Sequence, residues 1–302
     1  MRQLPRRETA AAAIGKYHRI SPFRHLVIDL MHFSTKVPSA TVERRMPLAS
    51  LCEARRLCTP APTWSGIFAK AYARVAAHIP QLRTSYVEFP WPRFYEHSTS
   101  IATINVDRQL PNERIVLYAH VPNPQDLSLS EIDAIIRFHQ DAPLKNISSY
   151  RHAARLSQVP WPFRRGLYWA GLNVFGSVRC ANFGTFGIST VGCQGAGILH
   201  LLPIVTSSLH YGMLDSTGGL EMRLSFDHRV LDGATAAQAL SEMEGTLLGE
   251  VTDECVRLAR QSSVPMKAIV TTDSPPGGHP DQGSGIREAN GAGSTPVHPV
   301  LS

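Results

Sequence analysis

The segment from Leu220 to Leu240 sets one histidine and two aspartates where they can hold or move a proton. Leu220, Met222, Leu224 and Phe226 alternate with Glu221, Arg223 and Ser225, the pattern of a half-buried strand. This strand runs into Asp227-His228-Arg229, and Gly233 breaks the pattern before an alanine-rich segment. A histidine fixed at a strand end and shielded by a turn can act as a positioned base. Asp232 follows His228 by a turn of chain, a place from which it braces the loop rather than touches the imidazole. A plain surface turn, with His228 capping a neighbouring group, also fits these residues taken singly. Two carboxylates, a histidine and a glycine between a buried strand and a helix favour a functional site. Ser189, in Gly-Ile-Ser-Thr-Val-Gly, completes a nominal Ser/His/Asp set with His228 and Asp232. It lacks the Gly-x-Ser-x-Gly turn that exposes a nucleophile, which argues against a serine hydrolase.

These side chains need a scaffold, and the chain patterns for one. An apolar stripe of Phe23, Leu26, Val27, Leu30 and Met31 predicts a helix over Pro22–Met31, with Ser21 as its cap. Thr41–Leu48 reads as a short strand, residues 52–63 as a loop, and Ser65–Ile79 as a second helix stopped by Pro80. Strands are expected over Phe94–Asp107 and Arg114–Val121, and a helix over Ser128–His139 opening on a Ser128/Glu131 capping box. The span 143–170, rich in aromatics and arginine, reads as a packed amphipathic helix, with a lid or substrate channel as the alternative. Ala181–Thr190 and Ile198–Ser207 are further strands, and Ala234–Leu248 is the last helix expected. Residues 1–20 are expected to be a flexible leader, 21–250 the working domain, and 262–302 a disordered Gly/Pro/Ser-rich tail.

Composition sets bounds. A 302-residue chain with 43% hydrophobic residues can bury a large core, and its net charge of +6 suits a phosphate-bearing ligand. There is no basic run with interleaved aromatics, so no nucleic-acid partner is expected. Five cysteines without Cys-x-x-Cys spacing argue against a disulfide framework or a metal cluster and read as cytoplasmic thiols. No apolar run is long enough to span a bilayer, so no membrane partner is expected.

Leu224-Ser-Phe-Asp-His-Arg-Val-Leu-Asp-Gly-Ala234 resembles the His-x-x-x-Asp-Gly signature in the catalytic domain of the dihydrolipoamide acyltransferases of 2-oxoacid dehydrogenase complexes. Phe183-Gly-Thr-Phe-Gly-Ile-Ser-Thr-Val-Gly192 is similar to a second motif of that family. The spacing of Arg24, Met31, Ser34 and Pro38 is similar to its first helix. The resemblance covers roughly Ser21 to Leu248. It implies an α/β fold, a two-layer sandwich around a mixed sheet like that of chloramphenicol acetyltransferase. It also implies homotrimers whose active sites lie between subunits.

The same resemblance implies an acyltransferase that uses coenzyme A as a substrate, without a metal. His228 would be the general base, Ser189 the oxyanion donor, and Asp232 would pair with Arg24 in a buried brace. The family's lipoyl and peripheral-subunit-binding domains find no match in this chain, so no covalent lipoate is expected here. The acyl group would come from a separate carrier, a lipoyl domain or an acyl-CoA. His200-Leu-Leu-Pro203 and Gly187 depart from the family pattern, which leaves the CoA-binding residues open. A non-catalytic trimeric scaffold is the alternative, with a Ser/His/Asp hydrolase behind it.

Overall fold

The computed structural model describes residues 15–111, 113–189 and 204–263. The expected tail from 264 onward, most of the leader, and the segment Thr190–Pro203 with its His200-to-Pro203 departure lie outside the described residues.

Six strands form one mixed sheet in the order β1 (Ser39–Pro47), β8 (Gly219–Asp227), β7 (Ser207–Tyr211), β6 (Phe186–Ser189), β4 (Ile101–Gln109), β5 (Arg114–Pro122). The pairs β7/β6 and β6/β4 are parallel and the other three antiparallel. Period-two alternation gives the sheet two unlike faces. One presents Met46, Met222, Leu224, Phe226, Leu209, Ile188 and Ile104 to the core. Helices α3 (Trp64–His78), α4 (Leu129–Asp141) and α8 (Gly233–Thr246) supply the apolar residues that complete that core. Tyr72 of α3 is wholly buried, with its ring against Phe186 and its hydroxyl 2.7 Å from Ser207 Oγ.

The other face is polar and yet largely buried, with Glu43 of the edge strand exposed. Thr103, Gly187, Ser208, Ser225 and Thr41 form one row across it, and Ser189, His210, Arg223 and Glu43 form the next. His210 Nε2 lies 2.8 Å from Ser225 Oγ, which lies 2.8 Å from Thr41 Oγ1. Such groups are tolerated inside because they are hydrogen-bonded to each other. Gly184 leads into β6 at φ 77°, and a Cβ there would stand 2.3 Å from Thr103 Oγ1. Only glycine combines that backbone with so close an approach.

The helices largely follow their patterns. α1 runs Pro22–Ser34 with Ser21 capping Arg24 N–H. α4 carries the complete Ser128/Glu131 capping box. Three expectations need correction. The 52–63 loop begins inside a helix, α2 (Ala49–Arg56), whose Leu51 and Ala54 are buried. The strand expected over 94–107 is two: β3 (Arg93–Glu96) pairs with β2 (Thr84–Val87) in a separate hairpin, and β4 starts at Ile101. The 143–170 helix divides at Pro160 into α5 (Ser148–Ser157) and α6 (Trp161–Asn173), followed by α7 (Gly176–Phe183), which takes the first residues of the strand expected from Ala181.

Past the boundary expected at 250, a π-helical turn (Leu247–Val251) leads into α9 (Thr252–Ser263), which packs on α2. Glu254 of α9 pairs with Lys70 of α3 and also accepts the N–H of Leu129 at the start of α4. Both charged side chains of that pair are nearly buried. The described cysteines are free thiols, and Cys58 Sγ donates to the carbonyl of Cys255.

Candidate active site

Asp227 ends β8 and is wholly buried. It accepts two hydrogen bonds from the Arg229 guanidinium, at 2.9 and 2.7 Å, and one from the Arg229 backbone N–H. The bidentate fork fixes the chain on either side of His228. Leu231 N–H closes the turn onto the Asp227 carbonyl, and the Leu231 side chain anchors it in the core. His228 N–H donates to Pro38 O at 2.8 Å, and its ring meets Phe226 edge-on. The imidazole is exposed on this rigid turn.

Support continues inward. The Arg229 guanidinium lies 4.2 Å over the Tyr86 ring. Arg179 of α7, fully buried, donates to the carbonyls of Tyr86, Leu172 and Ile204. Desolvation pulls its pKa down to about 10, with nearby Asp227 opposing that shift and Arg229 adding to it. Arg179 thus ties the hairpin, the end of α6 and the approach to β7 beneath the histidine turn. No local pattern marks it, since its partners are distant carbonyls. A cavity of about 180 Å³ opens beside this cluster, lined by Ser34, Lys36, Val37, Trp169, Arg179 and Arg229 among others.

The structure therefore brings the first and last sequence motifs together, through Pro38 on His228 and Ser34 with Arg229. It does not bring Ser189 to them. Ser189, His210 and Arg223 share one row, and His228 follows Arg223 by five residues along β8. At ~3.3 Å per residue that is ~16 Å along the strand, with two strand spacings of ~4.8 Å across. Ser189 is buried within the sheet, in the row that crosses the middle of β8. A Ser/His/Asp triad inside one chain is thereby excluded.

The Arg24–Asp232 pair is corrected as well. Arg24 is exposed in the first turn of α1, ten residues before Ser34, or ~15 Å along the helix from the end that meets the histidine turn. Asp232 caps α8 by accepting Thr235 N–H at 2.8 Å. That bond, helped by the Thr235 side chain and the Ala234 N–H and least by His228, holds its carboxyl below the usual range. Among the described residues the buried bridges lie elsewhere: Asp227 with Arg229, Asp29 of α1 with Arg164 and Arg165 of α6, and Lys70 with Glu254.

No family model and no curated protein matches this chain. Solved structures do. The dihydrolipoamide acetyltransferase of Azotobacter vinelandii, studied for a serine, a histidine and an asparagine in its catalytic mechanism, superposes with a TM-score of 0.57 at 17% identity. The match covers 83% of this chain and 98% of that one. A probable dihydrolipoamide acetyltransferase of Listeria monocytogenes gives 0.52 at 17%, covering 77% and 94%. A truncated catalytic core of the 2-oxoacid dehydrogenase complex of Thermoplasma acidophilum gives 0.52 at 19%, covering 78% and 99%. Sheet order, helix placement and the His228 turn thus belong to a chain with the fold of the dihydrolipoamide acyltransferase catalytic cores.

Proposed function

We propose that this protein is an acyltransferase that moves an acyl group between the thiol of coenzyme A and a dihydrolipoyl-type carrier thiol. The observation that carries the reading is His228 itself: an exposed imidazole on a turn pinned by Pro38, Asp227 and Arg229, the last of which lines a cavity, in an acyltransferase fold.

His228 takes the proton of the attacking thiol. Proton transfer from a thiol to an imidazole is uphill in water by a small margin, which fixed geometry absorbs. The thiolate adds to the thioester carbonyl, forming the new C–S bond and an oxyanion. Collapse breaks the old C–S bond, and the departing thiolate receives the proton from the imidazolium. No acyl-enzyme forms, and every proton is returned. The oxyanion donor is Ser189, contributed by a neighbouring copy in a homotrimer, because one chain holds the two groups ~16 Å apart along the strand direction. Removing such a donor costs about 2.7–4 kcal/mol of transition-state stabilisation.

The test is thiol-release turnover with a panel of acyl-CoAs and dihydrolipoamide, for the wild type and His228→Ala. The expected result is turnover that falls by two to four orders of magnitude (about 10²–10⁴-fold) in the variant with its assembly unchanged. Undiminished turnover in His228→Ala removes the histidine from the mechanism. Silence of the wild type across the panel favours the scaffold reading.

A further inference from the structure

Arg179 holds its positive charge inside the protein without a carboxylate of its own, at 4% exposure. One terminal nitrogen donates to the carbonyls of Tyr86 and Leu172, and the other to that of Ile204. The Nε–H is buried and has no partner. Asp227, the carboxylate that acts on this guanidinium, is already gripped by the Arg229 fork. A buried charge and a buried donor are costly when unmatched, so this side chain calls for a partner from outside the chain.

Arg179 lines the cavity of about 180 Å³ that opens beside the Arg179–Tyr86–Arg229 cluster. Val37, Trp169, Leu172 and Ile204 give this cavity apolar walls, whereas Lys36 and Glu88 are exposed and stand at its mouth. Arg229, next to His228 in the chain, lines it too. The charges leave a remainder. Asp227 cancels Arg229, Glu88 balances Lys36, and the positive charge of Arg179 is left over. The volume lies below the ~300 Å³ at which drug-sized pockets begin, which suits a short chain. A phosphate, with roughly two negative charges, would exceed that remainder, and one carboxylate matches it.

We propose that Arg179 determines acyl specificity: the cavity holds the far end of the acyl group, and the preferred substrates are thioesters of short dicarboxylic acids. The chain lies along the apolar walls and its terminal carboxylate meets the Arg179 guanidinium. The thioester end then lies toward the histidine turn, which begins one residue from Arg229. The inference rests on the acyltransferase reading and narrows it to a substrate class.

Turnover of the full chain with dihydrolipoamide tests it, comparing succinyl-CoA with butyryl-CoA, whose acyl chain is as long but uncharged. The wild type should favour succinyl-CoA in kcat/KM by about tenfold or more, as a hydrogen bond to a charged group does. Arg179→Gln should erase that ratio, Lys36→Met should narrow it, and Glu88→Lys should widen it. The two mouth variants decide the matter if Arg179→Gln does not fold by circular dichroism. Apart from turnover, saturation-transfer NMR should show monomethyl succinate, an ester with one free carboxylate, bound to the wild type and not displaced by inorganic phosphate. Dimethyl succinate should give no signal. Equal use of the two acyl-CoAs, preference for butyryl-CoA, a ratio that survives Arg179→Gln, or one that Glu88→Lys fails to widen overturns the inference and leaves acyl transfer standing. Silence with every acyl-CoA instead removes the acyltransferase reading, and the monomethyl succinate signal alone then decides whether the cavity takes a carboxylate.

Discussion

Asp227 and Asp232 flank the same histidine turn and carry different duties. Asp227 is buried and bonded on both oxygens, so Arg229→Met leaves a carboxylate inside the protein without its guanidinium. Breaking a buried pair from one side costs about 3–5 kcal/mol, and chemical denaturation of the variant should show a loss in that range. Asp232→Asn keeps a capping oxygen for Thr235 N–H and should leave the denaturation midpoint nearly unmoved. The signature aspartate stood out in the sequence, but its partner did not. Whether an aspartate caps a helix or meets an arginine depends on where another helix begins, which spacing alone does not tell.

His97 gives the residue scale a pH dependence. Its ring is buried against Ser85 Oγ, and desolvation first, then Arg179 and Arg83, lowers its pKa to about 4. Desolvation also lowers the pKa of His120, beside Thr103. The folded protein therefore resists protonation that the unfolded chain accepts near its ordinary value of ~6.5. Stability is full above that pH and falls as pH drops from there toward 4, where His97 charges in both states. His97→Gln should flatten that part of a stability-against-pH curve measured by urea unfolding.

Among the elements, the long amphipathic helices α1, α3 and α4 were legible because their stripes and caps lie within a few residues of one another. α2 and α9 were not: α2 has only eight residues, and the two pack on each other across a long stretch of sequence. The 94–107 strand misled for a related reason: Phe94 and Tyr95 have strand chemistry, but their partners are in β2, and no local signal says that pairing changes at residues 97–100. At this scale the clearest test is Glu254, which holds three helices. Glu254→Ala should cost about 3–5 kcal/mol by stranding Lys70. Lys70→Met combined with Glu254→Leu should regain much of it, since a well-packed apolar pair replaces a buried ionic one at little cost. A double variant no more stable than Glu254→Ala would show that the salt bridge is not the source of the loss.

For the whole molecule, the two groups proposed for catalysis were both visible in the sequence, but their separation was not. Register supplies it: a row linking Ser189 to Arg223 places His228 far along the same sheet. Subunit mixing turns that separation into a number. In the proposed cyclic trimer each site takes its histidine from one copy and its serine from the next. Random reassembly of equal parts His228→Ala and Ser189→Ala should thus restore about a quarter of wild-type turnover. Two inactive parents that stay inactive after verified mixing would show that both groups act from one chain.

The Lys70–Glu254 contact also sets an order in time. The chain is made from its N-terminus, and domains gather as they emerge. Helix α3 is complete long before Glu254 exists, so for most of synthesis Lys70 faces a core that lacks its counter-charge. The N–H of Leu129 waits for the same carboxylate. This corner of the apolar layer therefore gains its counter-charge only once α9 has been made. A ribosome stalled before α9 carries a sheet whose helices are made but not yet locked.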